Sequence, residues 1–202
     1  MNSRIIFSTL LTLTLGACGA GQTTFDEDTH APELDPIGDH TVVVNRKLEF
    51  KITASDDRNH SIIYTSNGIA GENNPFEQVN PAVFDAINAT FSWQTGNQDE
   101  GSYMLEFNAL DGQDSSIKDS EIIVIEVISK LKNGETLVNN ICVHCHGLDL
   151  KGSALFGSPN IRGKSLAEIS YALNTVTLMM QYVNLSNHDR ADVAEYLGTL
   201  TP

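Results

Sequence analysis

The pattern of hydrophobic and polar positions changes character along the chain. Residues 1–30 contain one apolar run and a polar stretch, residues 31–128 carry apolar side chains at alternate positions, and the remainder shows helical spacing. Strict alternation indicates strands with two different faces, whereas repeats of three and four indicate amphipathic helices. We therefore expect a β-rich part and a helical part behind a short leading segment.

Several short segments between residues 31 and 128 have the composition of strands, and turns rich in Asp, Asn and Gly separate them. The strand candidates are Thr41–Val44, Leu48–Ala54, Ile62–Thr65, Thr90–Trp93, Tyr103–Leu110 and Glu121–Ile128. The polar stretch Gly68–Ala82 leaves the central strand assignment open. Short strands without a helical period predict an all-β sandwich over residues 31–128, with Trp93 in its core.

The helical part follows Ser129. Residues Gly134–Ile141 place Leu137, Val138 and Ile141 on one helical face. The sequence Ser165–Glu168 has the spacing of a capping box and predicts the start of a second helix. A last helix is expected to begin near Ser186. These elements predict a small all-α domain over residues 131–202.

The first residues have the features of an export signal. Arg4 precedes the run Ile5–Leu15, which is too short to span a bilayer but suits the apolar part of a secretory signal. The segment Leu15–Cys18 resembles the lipobox of bacterial lipoproteins. That resemblance implies a signal peptide at 1–17, a lipid on Cys18 and a tether over 18–30. An ordinary secretory signal is the alternative.

Location and partners follow from this reading. Gly19 after the lipidated cysteine implies an outer-membrane lipoprotein that faces the periplasm or the cell surface. The formal net charge of −14 is concentrated in residues 26–130. Because such a surface repels phosphate backbones, we expect no nucleic-acid partner.

The strongest chemical signal is the run CVHCH at Cys142–His146. Two thiols three positions apart can each bond to one haem, and the adjacent histidine then serves as an iron ligand. A thioredoxin-type pair would follow a strand, and a zinc site would need further ligands. The chain has 3 cysteines, and Cys18 is assigned to lipid. We therefore expect one covalently bound haem c, held by Cys142 and Cys145.

The helical part resembles the small class I bacterial cytochromes c. The matching segments are Gly134–Leu137, Ile141–Gly147, Gly157–Ser165 and Ala194–Leu197. The resemblance implies that His146 binds the iron and donates from Nδ1 to the Pro159 carbonyl. It also implies that Gly134 and Tyr196 lie where the first and last helices cross.

The sixth iron ligand remains open at this point. Methionine occupies this position in the family, and both Met179 and Met180 have suitable spacing before the last helix. His188 is a further candidate. The resemblance also places Arg162 and Lys164 near the haem edge, where they would balance the propionates or simply lie exposed.

The β part resembles bacterial immunoglobulin-like and cadherin-like domains. The segments that carry this resemblance are Ala31–Gly38, Thr53–Asp57, Ala89–Trp93 and Gly101–Gly112. Some such domains bind calcium through carboxylates, and Asp56, Asp57, Asp111 and Asp114 are of that type. We do not expect calcium, because Asp is common in turns for local hydrogen bonding.

Together these features predict a lipid-anchored monohaem cytochrome that exchanges single electrons with redox proteins of the envelope. An iron with both axial positions filled has no site for substrate, so we expect a carrier and not an enzyme. Two alternatives stay open: a haem enzyme subunit or gas or redox sensor with a labile sixth ligand, and an adhesion or carbohydrate-binding module with an accessory haem.

Overall fold

The computed structural model describes residues 31–182 and 184–201. The predicted signal peptide at 1–17, the lipid attachment at Cys18 and the tether over 18–30 lie outside the described residues. Within the described ranges, no helix has the length and apolar character needed to cross a membrane.

The β-rich domain contains short strands that alternate with tight turns, as the sequence predicts. The strands are β1 (Glu33–Leu34), β2 (His40–Val43), β3 (Lys47–Lys51), β4 (Ala54–Ser55), β5 (Ile62–Gly68), β6 (Val83–Asp85), β7 (Thr90–Gln94), β8 (Gly101–Asp111) and β9 (Lys118–Ile128). A single turn of 3₁₀ helix at Pro75–Glu77 lies in the long connection before β6.

Two sheets face each other across one apolar core. One has the strand order β2-β9-β8-β5 and the other has the order β3-β7-β6, while β1 and β4 form a small ribbon. Alternate side chains of β7 and β8 point inward, and Trp93, Phe91 and Phe107 are fully buried. The rings of Phe91 and Phe107 meet edge to face at 5.9 Å across the two sheets. The predicted sandwich is therefore confirmed.

The structure corrects two strand assignments. The predicted strand Leu48–Ala54 is split, because β3 pairs with β7 only as far as Lys51 and Ala54 belongs to β4, which pairs with β1. The stretch Gly68–Ala82 holds no strand after the end of β5, and β6, which the pattern did not predict, follows it. Within this stretch, the Asn80 carbonyl accepts a hydrogen bond from the Trp93 indole at 2.8 Å. That bond and the partly buried Phe76 ring together fix the long connection onto the core.

Turn carboxylates at one end of the sandwich form a network. Asp56 accepts hydrogen bonds from the backbone N–H groups of Arg58 and His60 at 2.8 and 3.2 Å. The Asp111 carboxylate pairs with the Arg58 guanidinium and receives a bond from His60 Nδ1 at 2.9 Å. Asp56, His60 and Asp111 have ligand atoms within 4.8 Å of one another, and Arg58 supplies positive charge to this group.

The helical domain begins where the sandwich ends. Its elements are α1 (Lys130–Leu137), a π-helical turn (Val138–Cys142), α2 (Val143–His146), α3 (Leu166–Thr175), a 3₁₀ turn (Met180–Tyr182) and α4 (Asn187–Gly198). The predicted capping box is present, since Ser165 and Glu168 exchange hydrogen bonds at the start of α3. The first helix begins four residues before Gly134, because Ser129 accepts a bond from Lys132 N–H and caps it.

The crossing of α1 and α4 depends on a residue without a side chain. A Cβ built on Gly134 would lie 2.0 Å from the Asp192 carbonyl oxygen and 3.0 Å from Tyr196 Cβ. Gly134 thus lets the two backbones approach closely, at the positions where the resemblance places the crossing.

The network at Asp111 generates a prediction about acid stability. Hydrogen bonds from His60 and from the backbone of Gln113 lower the pKa of Asp111 to about 2 from its ordinary 3.8. The stability it contributes is therefore present above about pH 4 and is lost as pH falls towards 2. In Asp111→Asn, this part of the acid dependence should disappear.

Urea unfolding at several pH values, followed by Trp93 fluorescence, measures this effect. Asp57→Asn, which alters an exposed carboxylate in the neighbouring turn, is the matched control and should keep the wild-type acid dependence. An unchanged acid dependence in Asp111→Asn would contradict the assignment.

Candidate functional site

The helical domain encloses a cavity of about 400 Å³, a size typical of sites for small molecules and cofactors. Its walls are formed mainly by apolar side chains from all four helices and from the segment before α4. The lining includes Leu137 of α1, Ile169 and Leu173 of α3, and Val193 and Leu197 of α4. The cavity therefore offers an apolar space of low dielectric character.

The thiols of the CVHCH run face this cavity. The π-helical turn ends at Cys142 and α2 starts at the next residue, so Cys142 and Cys145 lie on one face three positions apart. Both cysteines line the cavity, and neither forms a disulfide. Burial, with a smaller contribution from Cys145, raises the pKa of Cys142 to about 11, so this thiol stays protonated at neutral pH.

The imidazole of His146 is held in one orientation. Its Nδ1 lies 2.8 Å from the carbonyl oxygen of Pro159. A carbonyl can only accept, so Nδ1 carries the hydrogen and Nε2 keeps its lone pair for a metal. His146 is buried and also lines the cavity, whereas His144 of the same run is exposed.

The loop that carries Pro159 is folded back onto α2. The Ser158 hydroxyl donates to the Cys145 carbonyl, and Ser153 and Ser158 form a backbone bridge with 3.1 Å bonds in both directions. At Gly152, which has a φ of +102°, a Cβ would lie 2.5 Å from the Ser158 carbonyl oxygen. The loop therefore needs glycine at this position to bring the Pro159 carbonyl to the histidine.

The structure separates the two methionines. Met179 lines the cavity, whereas Met180 does not line it and is 48% exposed. The Met179 N–H donates to the Val176 carbonyl at 2.8 Å, within the turn that follows α3. His188 lies in the first turn of α4 and borders a separate polar cleft with Arg46 and Glu195. Of the three candidates for the sixth ligand, Met179 alone among the described residues faces the cavity.

The two cationic candidates occupy different places. Lys164 lines the cavity and pairs with Glu168 at 2.7 Å. Arg162 does not line it, and its Nε donates to the Asp149 carbonyl at 2.7 Å. The structure thus brings Lys164, and not Arg162, to the cavity wall.

Sequence reasoning missed several residues of the cavity. Tyr182 and Phe156 line it, and neither belongs to a motif with recognisable spacing. Large apolar side chains at its border are strongly exposed: Leu178 is 72% and Phe156 is 53% exposed. An exposed aromatic in a loop gives no periodic signal, so only the fold could place it at the site.

The chemistry of the lining fits a haem c. The apolar cavity is lined by two thiols, one imidazole with a free Nε2 and one thioether. These groups are the donor set for covalent attachment and axial ligation of a haem c. A zinc site would bring several ligand atoms together at one point. Among the described residues, the thiols and imidazole of the CVHCH run do not form such a group.

Residues 129–197 match the family model described as cytochrome c oxidase, cbb3-type, subunit III. The C-terminal domain is a cytochrome c domain. This assignment implies a haem c with iron and points to haem-based electron transfer. Among curated proteins, none matches the chain.

Comparison with solved structures gives matches of low sequence identity. A nucleoside hydrolase-related protein from Saccharophagus degradans is 12% identical and has a TM-score of 0.38, with 48% of this chain and 25% of that chain covered. The third cadherin domain of human protocadherin 7 is 14% identical and has a TM-score of 0.35, with 56% of this chain and 95% of that chain covered.

A PKD domain gives similar values, with 14% identity, a TM-score of 0.34 and coverage of 56% of this chain and 93% of that domain. The chain thus spans a quarter of the first of these proteins and nearly all of each single domain. The β-rich domain has Ig-like and cadherin-like neighbours, and its sandwich architecture follows from the strand order and the shared core.

The close approach at Gly134 predicts a specific loss of stability in the cytochrome c domain. In Gly134→Ala the added methyl would meet the Asp192 backbone, which must shift because it cannot rotate away as a flexible side chain can. Overpacking of this kind costs about 1–3 kcal/mol. Thermal unfolding followed by haem absorbance should show a lower midpoint.

The matched control is Gly198→Ala at the end of α4, where a Cβ meets nothing within 4 Å. This substitution should leave the midpoint unchanged or raise it, since alanine favours helix over glycine. Equal midpoints for Gly134→Ala and the wild type would show that the two helices do not cross as described.

Proposed function

We propose that this protein is a lipid-anchored monohaem cytochrome that carries single electrons outside the cytoplasm. The observation that supports it best is that four side chains line one apolar cavity. They are the thiols of Cys142 and Cys145, the oriented imidazole of His146 and the thioether of Met179. A haem c bound there supplies a one-electron iron couple.

Each residue has a distinct task in this proposal. Cys142 and Cys145 would hold the cofactor through thioether bonds and fix it in one position. His146 provides Nε2 as the proximal ligand, and the Pro159 carbonyl keeps its ring oriented and more basic. Met179 provides the distal sulfur, and a thioether together with an imidazole favours a higher reduction potential than two imidazoles.

An electron carrier has to keep substrates away from the iron and to limit the rearrangement of surrounding groups when the iron changes oxidation state. The cavity is suited to both. Its lining is largely apolar, so few polar groups reorient when the charge at its centre changes. His146 and Met179 would together fill both axial positions of a haem iron held here, which would leave none for a substrate. Lys164 at the wall provides positive charge for a carboxylate of the cofactor.

The alternative of a haem enzyme or sensor receives less support from the lining. Such a site usually has a proton-transferring side chain on the distal side. Glu168 is the acidic residue of the wall, but hydrogen bonds from Lys164 and Ser165 lower its pKa to about 2. A carboxylate of this kind is a poor proton acceptor, and no distal histidine or arginine lines the cavity among the described residues.

Anchoring and partners are further parts of the proposal. The segment Leu15–Cys18 supports lipid attachment at Cys18. The proposed location is the outer membrane, with the protein facing the periplasm or the cell surface. Redox proteins of the envelope are the proposed donors and acceptors. Such encounters use small interfaces, and the exposed side chains of Phe156 and Leu178 border the cavity where contact would occur.

Substitution of the methionines tests the ligand assignment. Met179→Ala should lose the sulfur-to-iron charge-transfer band of the oxidised protein and lower the reduction potential, because the iron loses its thioether. Met180→Ala is the matched control at the adjacent position and should keep both properties. Absorption spectra and a potentiometric titration of the two purified variants give the answer, and the reverse pattern would assign the ligand to Met180.

Substitution of Cys18 tests the anchor. Cys18→Ser removes the thiol that would carry the lipid, so the protein should move from the membrane fraction to the soluble periplasmic or secreted fraction with its haem retained. Haem-stained gels of the fractions measure this distribution. Detection of wild-type protein in the soluble fraction alone would contradict lipid anchoring.

A further inference from the structure

A side chain from the sandwich contacts the last helix of the cytochrome c domain. Arg46 lies in the turn between β2 and β3, where Asn45 adopts a left-handed φ of 62°. The buried Thr95 holds this turn: its N–H donates to the Arg46 carbonyl at 3.1 Å, and its hydroxyl accepts from the Arg46 N–H at 3.2 Å. The arginine is therefore presented from a fixed backbone.

The guanidinium group of Arg46 binds two carboxylates on one face of α4. One Nη lies 2.8 Å from Asp189 Oδ1, and the other pairs with Asp192 Oδ2. Asn133 of α1 donates to Asp192 at 2.7 Å and to Asp189 at 3.2 Å. The cluster thus joins the sandwich to both helices that meet at Gly134.

Burial makes this contact more than a surface ion pair. Asp192 is 2% exposed, and its carboxylate pairs with the Arg46 guanidinium. Exposed pairs contribute little to stability, but removal of one partner of a buried pair leaves an uncompensated charge and is strongly destabilising. The cytochrome c domain therefore depends on a positive charge that belongs to the neighbouring domain.

The second carboxylate, Asp189, connects the cluster to residues 179–185, called the Met179 segment below. Asp189 Oδ2 accepts from the Ser186 hydroxyl at 2.7 Å, and the same hydroxyl accepts from the Asp189 N–H at 3.1 Å and caps α4. Leu185, the residue before this cap, lines the cavity, and its carbonyl accepts from Arg190 Nε at 2.9 Å. The Met179 segment therefore ends at the cap that begins α4.

The covalent connection between the domains adds to this coupling. The Val44 N–H donates to the Ile128 carbonyl at 2.9 Å, so the sheet pairing continues to the last residue of β9. Ser129 follows directly and caps α1. No free linker separates the sandwich from the helix that leads to Cys142.

We propose that Arg46 is a positioning residue of the haem site: it holds α4 against the sandwich and, through Asp189 and the Ser186 cap, keeps the Met179 segment closed over the cavity. This inference rests on the proposed function, because it concerns the stability of the Met179 ligation. It assigns the sandwich a part in setting the properties of the haem site.

Two measurements on the full-length protein with haem attached test the proposal. The first is urea unfolding with one probe for each domain, since Trp93 is the single tryptophan and lies in the sandwich core, whereas haem absorbance reports the cytochrome c domain. The wild type should give coincident transitions. In Arg46→Met the haem transition should move to lower urea and separate from the other.

The second measurement distinguishes positioning from simple stabilisation. Added imidazole binds the oxidised iron by displacing the methionine, so its affinity reports how easily the Met179 segment opens. We expect Arg46→Met to bind imidazole about tenfold more tightly than the wild type, the size of a typical coupling between sites. Arg46→Lys keeps the charge without the two-pronged geometry and should restore part of the wild-type behaviour.

Two further variants complete the design. Lys47→Met removes the next cation in the chain, which is 54% exposed and pairs with Glu49, and should match the wild type in both measurements. Asp192→Asn combined with Arg46→Met removes the unpaired buried charge and should recover part of the lost stability. That recovery supports the pairing with Arg46.

The outcomes that overturn the proposal are distinct. An Arg46→Met variant with separated transitions but wild-type imidazole affinity would make Arg46 a structural contact without influence on the iron. If Arg46→Met behaved like Lys47→Met in both measurements, the result would show that Arg46 does not couple the two domains. A wild-type spectrum without methionine ligation would overturn the proposed function itself, and this inference with it.

Discussion

The hydrogen bond from His146 Nδ1 to the Pro159 carbonyl is the contact on which the site depends. It defines which nitrogen of the imidazole is available to a metal, and it requires the loop after the CVHCH run to return to α2. That return is possible because Gly152 allows the Ser158 backbone to approach closely. The thiols of Cys142 and Cys145 face the same cavity, so attachment and ligation share one geometry.

The two domains are more closely joined than two independent modules would be. The sandwich presents Arg46 from a turn held by Thr95, and the cytochrome c domain buries the Asp192 carboxylate that this arginine neutralises. A small helical domain has little apolar area of its own, so it gains stability from its cofactor and from its neighbour. Contacts from both domains consequently hold α4 in place, and with it the Met179 segment.

Much of this could be predicted from residue patterns. Alternation predicted the sandwich, and the capping box at Ser165 predicted the start of α3, because such signals depend on local chemistry. The last helix also begins beside Ser186, as expected. The choice between Met179 and Met180 could not be made, since adjacent residues in an irregular turn have no periodic signal. The Arg46 contact was also beyond prediction, because it joins residues 143 and 146 positions apart in the chain.

The most direct test of the account is a redox titration of the purified full-length protein, followed by absorption spectra with and without carbon monoxide. The account predicts a single one-electron transition, a low-spin haem in both oxidation states, and spectra that carbon monoxide does not alter. A high-spin reduced form that binds carbon monoxide would show a vacant or labile iron position. That result would contradict electron carriage as the function of the site.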